Sequence, residues 1–156
     1  MASISGGDAL LKVLEALSGV KSITMNVGVL ADATNEDTLE PIAPYAAANE
    51  FGTLTIPARP AIRNAVAEKT GDWASQLASG VSDIAGDPES IEKAFNQLGL
   101  VMVQDIRDSI GSNIQPENAP ATVEAKKRKG RADASTTLID SGSYQRAIDY
   151  EIIKGE

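Results

Sequence analysis

Histidine and cysteine are both missing from this chain of 156 residues. Without them there is no Ser-His-Asp triad, no Cys-His pair, no disulfide and no thiolate or imidazole metal site. Catalysis would fall to carboxylates, Lys, Ser, Thr and Tyr, and no active-site pattern gathers them, so neither an enzyme nor a cofactor is expected. Missing Cys fits a reducing cytosol. Aromatic residues make up only 4% of the chain, which leaves Ala, Val, Ile and Leu to build the core. No run approaches the roughly 18–20 apolar residues of a membrane span, and no membrane partner is expected. The opening Met1–Gly7 lacks a positive region followed by an apolar one, so no signal peptide is expected. Gly28, Gly52, Gly71 and Gly142 are scattered and form neither a G-x-G-x-x-G nor a P-loop. Positive charge is in the minority, 14 Lys and Arg against 22 Asp and Glu, a net charge of −8. That balance argues against tight non-specific nucleic-acid binding, which needs phosphates to be neutralised.

What is present fits a single domain over residues 1–156, with one sizeable core. Leu10, Val13, Leu14 and Leu17 have helical spacing after a capping Asp8. Ile23, Met25, Val27 and Val29 alternate with Thr24, Asn26 and Gly28, the pattern of a half-buried strand. An acidic connection over 31–40 leads to a short Ala-rich helix at 43–50. From Ala61 to Ala85 the pattern is helical, with Trp73, Leu77, Val81 and Ile84 on one face. Thr70-Gly71-Asp72 predicts two helices or one with a break. Asp87-Pro88-Glu89 is a start signal for a long helix to about Ile110. That helix is apolar on more than one face, as expected of an element buried from two sides or shared with a neighbouring subunit.

Residues 111–136 form a long connection rich in Gly, Ser, Asn and Pro, expected to be mobile in the free protein, with a short helix near 121–127. Another short helix at 140–147, capped by Asp140 or Ser141, precedes a terminal strand on Ile148, Tyr150 and Ile152. The expected fold class is α/β of the α+β type. Strands near 22–30, 53–56 and 147–153 make a small, mainly antiparallel sheet packed against one long helix, with several short helices around it.

The most specific stretch is Asn49-Glu50-Phe51-Gly52-Thr53-Leu54-Thr55-Ile56-Pro57-Ala58-Arg59-Pro60-Ala61-Ile62-Arg63. Gly52 permits a sharp turn, Leu54 and Ile56 alternate with threonines as in a short strand, and Pro57 and Pro60 fix φ on either side of Arg59. The residues read as turn, strand, rigid corner and helix. Their order resembles the EFGT…IPARPF(L)R signature of tailed-phage neck and tail-completion proteins, the virion-morphogenesis group. Thr137-Leu138-Ile139-Asp140-Ser141-Gly142-Ser143-Tyr144-Gln145-Arg146-Ala147-Ile148 is similar to a second segment of that group, which precedes a last strand. The resemblance covers about residues 23–154. Ala61, Ser141 and Tyr144 depart from the usual Phe, Thr and Leu.

The resemblance implies a structural protein of the virion, assembled in the host cytoplasm at the phage head–tail junction. There a ring, typically a hexamer, joins head-completion or connector proteins to tail tube or terminator proteins. Double-stranded DNA passes through without sequence-specific binding. It also implies that Glu50, Phe51, Gly52, Pro57, Arg59, Pro60, Arg63, Asp140 and Gly142 are motif residues and candidates for the subunit interface. A tail terminator or sheath-joining ring is the nearest alternative.

Arg59 and Arg63 lie one turn apart at a helix start. Their expected partners are carboxylates across an interface or those of the acidic loop at 36–40, with Glu50 bracing the Arg59 corner. Lys126, Lys127, Arg128, Lys129 and Arg131 form the one cationic cluster in an acidic protein. It reads as a solvated loop, as an electrostatic docking patch for an acidic subunit face, or as the contact of a small DNA-binding regulator. Asp105 and Asp108, at i and i+3, read as an exposed helix face and not as a metal site.

Overall fold

The computed structural model of the protein describes residues 22–36, 38–82 and 88–155. The helix expected over Leu10–Leu17, and Ile84 of the later helical face, lie outside these residues. The elements are strand β1 (Ile23–Val29), helix α1 (Ile42–Phe51), helix α2 (Ala61–Ser82), helix α3 (Pro88–Gly111), helix α4 (Pro120–Arg128), the one-turn helix α5 (Ser143–Arg146) and strand β2 (Ile148–Lys154). This is the expected α+β class.

The two strands pair antiparallel, from Ile23 opposite Lys154 to Val29 opposite Ile148. Their period of two sends Met25, Val27, Val29, Ile148 and Tyr150 toward the core and leaves Thr24, Asn26, Asp149 and Glu151 exposed. Across the ladder on the wet face, Asn26 donates a 2.9 Å hydrogen bond to Glu151.

The expected third strand over 53–56 is a turn. The Thr53 amide donates to the Ile56 carbonyl at 2.8 Å, and the Thr53 hydroxyl accepts from the amides of Thr55 and Ile56 at 3.3 and 3.0 Å. A hydroxyl two and three residues back gives these amides a local partner, so they need no neighbouring strand. The break expected at Thr70-Gly71-Asp72 is absent as well, and α2 runs straight through it. A mid-helix glycine costs about 1 kcal/mol. Trp73, two residues on, outweighs this: its ring is buried and its indole N–H donates to Asp105 at 2.7 Å.

Helix α3 is the centre of the molecule. It lies against α2 on one side and against both strands on the other. Ile91, Ala94, Leu98, Val103, Ile106 and Ile110 are buried along it, which accounts for its wide apolar girth. Leu100, off those two faces, is 62% exposed.

Small residues set how closely the layers approach. A Cβ on Gly80 would stand 3.1 Å from that of Ala94 where α2 crosses α3. A Cβ on Gly99 would stand 2.5 Å from Cδ2 of Tyr150, so the β2 tyrosine lies directly on the helix backbone. The Tyr150 hydroxyl then donates to Asn96 at 3.0 Å, one turn earlier on α3.

Gly99→Ala is therefore expected to destabilise the fold by about 1–3 kcal/mol, although alanine is the better helix former. In urea denaturation, combining it with Tyr150→Ala should cost clearly less than the sum of the single changes, because the smaller side chain removes the clash. Strict additivity would place the strain elsewhere.

Candidate functional site

The Asn49–Arg63 segment is a hinge-free corner held from within. Helix α2 begins after two prolines and an arginine, and the Pro60 carbonyl accepts from the Asn64 amide, but proline has no side-chain acceptor for the next amides. Glu50, from the last turn of α1, supplies it. Its two carboxylate oxygens accept from the Ile62 and Arg63 amides at 3.1 and 2.9 Å, and the Arg63 guanidinium closes on the same carboxylate at 3.1 Å. Arg63 also donates to the Glu50 carbonyl and lies 4.9 Å from the centre of the Phe51 ring. A buried carboxylate is thus satisfied by two helix amides and a cation at the positive end of a helix.

The chain between the helices is a closed loop. The Arg59 amide returns to the Asn49 carbonyl at 2.7 Å. Gly52 takes φ 76°, and any Cβ there would meet the Ala58 nitrogen at 2.9 Å, so both backbone angle and space call for glycine. Arg59 is buried, and its Nε and Nη2 donate to the Pro116 and Glu117 carbonyls at 2.7 and 3.0 Å. Neither Arg59 nor Arg63 pairs with the described residues of the acidic loop at 36–40. Glu36 of that loop reaches Arg146 instead. Glu50 does brace this corner, but through α2 and Arg63 and not through Arg59.

Around that frame the loop presents large apolar side chains to solvent. Phe51 is 69% exposed, Leu54 is wholly exposed, and Ile56 is over a third exposed.

The second motif packs beside the first. Tyr144 is buried with its ring edge-on to Tyr45, centroids 6.0 Å apart. Its hydroxyl is the one buried side-chain polar atom without a partner among the described residues. Burial, with Glu50 and Tyr45 nearby, pushes this phenol well above its usual range. Ala61 is fully buried where the resembling family has Phe, and its carbonyl accepts from the Ser109 hydroxyl at 2.7 Å.

Neither Asp140 nor Ser141 stands at the cap position of α5. That position is Gly142, with φ 80°, and a Cβ there would meet Arg146 Nη1 at 2.9 Å. Asp140 is instead clamped by Lys129 at 3.0 Å and Arg131 at 3.3 Å. Burial alone would raise the Asp140 carboxyl, but the two hydrogen-bonded cations outweigh it and hold it below the usual carboxylate range.

The basic run is thus divided among different tasks. Lys126 is buried and its ammonium donates to the Thr136 and Ile139 carbonyls. Lys127 pairs with Glu124 at 3.1 Å. Lys129 and Arg131 hold Asp140, which leaves Arg128 as the cation of the run whose side chain has no partner, backbone or side chain, among the described residues.

The long connection is laced by side chains. Asn118 donates to the Thr136 carbonyl at 2.9 Å, Asn113 accepts from the Thr137 amide at 2.9 Å, and the Thr137 hydroxyl donates to the Ile114 carbonyl at 2.9 Å. Sequence reasoning missed these residues, and it missed Arg107, which binds the carbonyls of Gln145 and Ile148 across the start of β2. Asn, Thr and Arg in such places carry no periodic signal. Asp105 and Asp108 are used by Trp73 and Gln104, and no group of three metal-ligating side chains occurs among the described residues. No helix among them is long and apolar enough to cross a membrane.

Comparison with protein-family models, curated proteins and solved structures gave no match.

Glu50→Ala should cost about 1–3 kcal/mol, because it strands two part-buried helix amides and removes the carboxylate that holds the Arg63 guanidinium. Arg63→Ala should cost less, since the Arg63 side chain is 55% exposed and the capping amides keep their acceptor. Equal losses in denaturant titrations would contradict the capping role. The depressed Asp140 carboxyl carries stability that is present above the unfolded-state value, near 3.8, and is lost as pH falls through its lower folded value. The stability gap between wild type and Asp140→Asn should accordingly be constant near neutrality and close only in the strongly acidic range, read by unfolding curves at stepped pH.

Proposed function

We propose that this protein is a structural component of a phage virion, a tail-completion or neck protein. Its copies close into a ring, typically of six, between the head connector and the tail, and DNA passes through the ring. Two kinds of support bear on this reading. The first is the resemblance of the two motif segments to the virion-morphogenesis group. The second, which carries the most weight physically, is the use of the first motif. Its polar and charged residues are spent on holding a corner rigid, while Phe51, Leu54 and Ile56 project from that corner into solvent. A frame this well determined, bearing an exposed apolar tip, suits insertion into a neighbouring subunit and no chemistry of its own.

A closed ring needs heterologous contacts, with each subunit offering two different surfaces. In this reading the tip at 51–56 is one of them. The net charge of −8 suits a conduit whose wall repels phosphates and lets the duplex slide. The pairing within the basic run weighs against a DNA-binding regulator, because Lys126, Lys129 and Arg131 already have partners inside the chain.

Light scattering of the purified chain, followed by cryo-electron microscopy of virions at the neck, tests the proposal. The expected result is a sixfold ring between head and tail. Leu54→Asp is expected to abolish ring assembly with a circular-dichroism spectrum and unfolding midpoint close to wild type, since a fully exposed side chain contributes little to the folded subunit. Rings that form unchanged with Leu54→Asp would remove the tip from the interface. A chain absent from virions would end the neck reading.

A further inference from the structure

Three charged residues are buried among those described: Glu50, Arg59 and Lys126. Glu50 has a cation against it. The other two have no carboxylate partner and are met only by backbone carbonyls. Both line the same cleft, of about 440 Å³, between the two motif segments and the start of α4, with Tyr45 and Asn49 on its α1 side. We propose that this cleft is a binding site for a monoanionic carboxylate, which Arg59 and Lys126 hold between them.

The donor count supports this. A guanidinium has five N–H groups and an ammonium three. Arg59 uses Nε and one group on Nη2, and Lys126 uses two, so each keeps donors with no acceptor among the described residues. The unpartnered Nη1 of Arg59 is not sealed in, because the one buried and unpartnered side-chain polar atom among the described residues is the Tyr144 hydroxyl. Carbonyl oxygens solvate a buried cation but leave its charge in place, so two cations without an ion-pair partner face one cleft. The N-terminus of α4 adds partial positive charge there, and its cap residue, Ala119, has no side-chain acceptor. Burial holds the Lys126 ammonium below the usual lysine range; Asp140 opposes that shift, and Arg59 and Lys129 add to it. A bound anion would raise it again.

Charge on the rim selects the ligand. Asp140 and Glu117 both line the cleft, and although Lys129 and Arg131 hold Asp140, the two carboxylates oppose a second negative charge on the ligand. A dianionic phosphate meets that repulsion twice, a carboxylate once. Planar carboxylates also match the fork of a guanidinium. Two sources have this chemistry, a free small carboxylate and a Glu or Asp side chain of a protein partner. The site is independent of the ring reading and stands or falls without it.

The test is an amide-shift titration of the full isotope-labelled chain at constant ionic strength. The probes are acetate, a short capped peptide containing one glutamate, and inorganic phosphate. Saturable shifts from acetate, confined to residues 55–59, 116–122 and 126, are expected, with phosphate weaker. Lys126→Met should weaken acetate binding by about tenfold or more, and Asp140→Asn should tighten it about three- to tenfold. The second variant keeps the test decisive if the first folds poorly, because damage to the fold does not raise affinity. A peptide that binds about tenfold tighter than acetate assigns the site to a protein partner, and equal affinities assign it to a small molecule; both outcomes support the carboxylate site. The absence of saturable shifts, tighter binding of phosphate, or no gain with Asp140→Asn would overturn it.

Discussion

The carboxylate of Glu50 is the constraint on which the rest of the arrangement depends. One side chain ends α1, starts α2 and fixes the angle between them, because its two oxygens must reach the Ile62 and Arg63 amides at once. With that angle set, the intervening loop has little freedom: the Asn49 carbonyl receives the Arg59 amide, and Gly52 makes the tight reversal. The start of α2 then presents Ala61 and Ala65 to α3, and α3 in turn carries the sheet. A capping interaction is commonly local to one helix end. Here it is made between helices, and so it acts on tertiary structure.

A second theme is how an acidic chain uses its few cations. Arg59 and Lys126 point at backbone carbonyls in segments that lack a regular ladder, and Arg107 points at those of Gln145 and Ile148 where α5 gives way to β2. Outside α4 and α5 the stretch between α3 and β2 has no ladder to pair its carbonyls, and buried carbonyls must be paired. Arg59 and Arg107 reach into this stretch from outside it, and Lys126, Asn113, Asn118 and Thr137 complete the job from within. Side-chain bonds to carbonyls thus tie the connection together on either side of α4.

The strands, the Ala-rich helix, the long helix and the helix near 121–127 were legible in the sequence because each carries a period or a start signal. The site was legible only in outline. Thr53-Leu54-Thr55-Ile56 has the alternation of a strand, yet the same hydroxyl that suits a strand residue also closes a turn. Gly71 looked like a break because its cost is local and visible, whereas the compensating Trp73–Asp105 bond spans two helices. Lys126 sat in a run of like residues, and nothing in that run marks which member turns inward. Glu50 was placed at the correct corner but against the other arginine. Composition records which charges exist; only the packing of α1 on α2 and of α4 on the second motif decides which of them meet.

The sheet has a kinetic consequence. Strands β1 and β2 lie at opposite ends of the described chain, their pairing carries through to a 2.8 Å bond from the Gly155 amide to the Ser22 carbonyl, and β1 has no other strand to pair with among the described residues. Closing so long a loop costs entropy that local contacts do not have to meet. The helices packed around α3 close shorter loops than the ladder does, so the ladder carries the largest closure cost in the described fold. The described chain is thus nearly closed on itself, with both of its ends leaving from one edge of the fold.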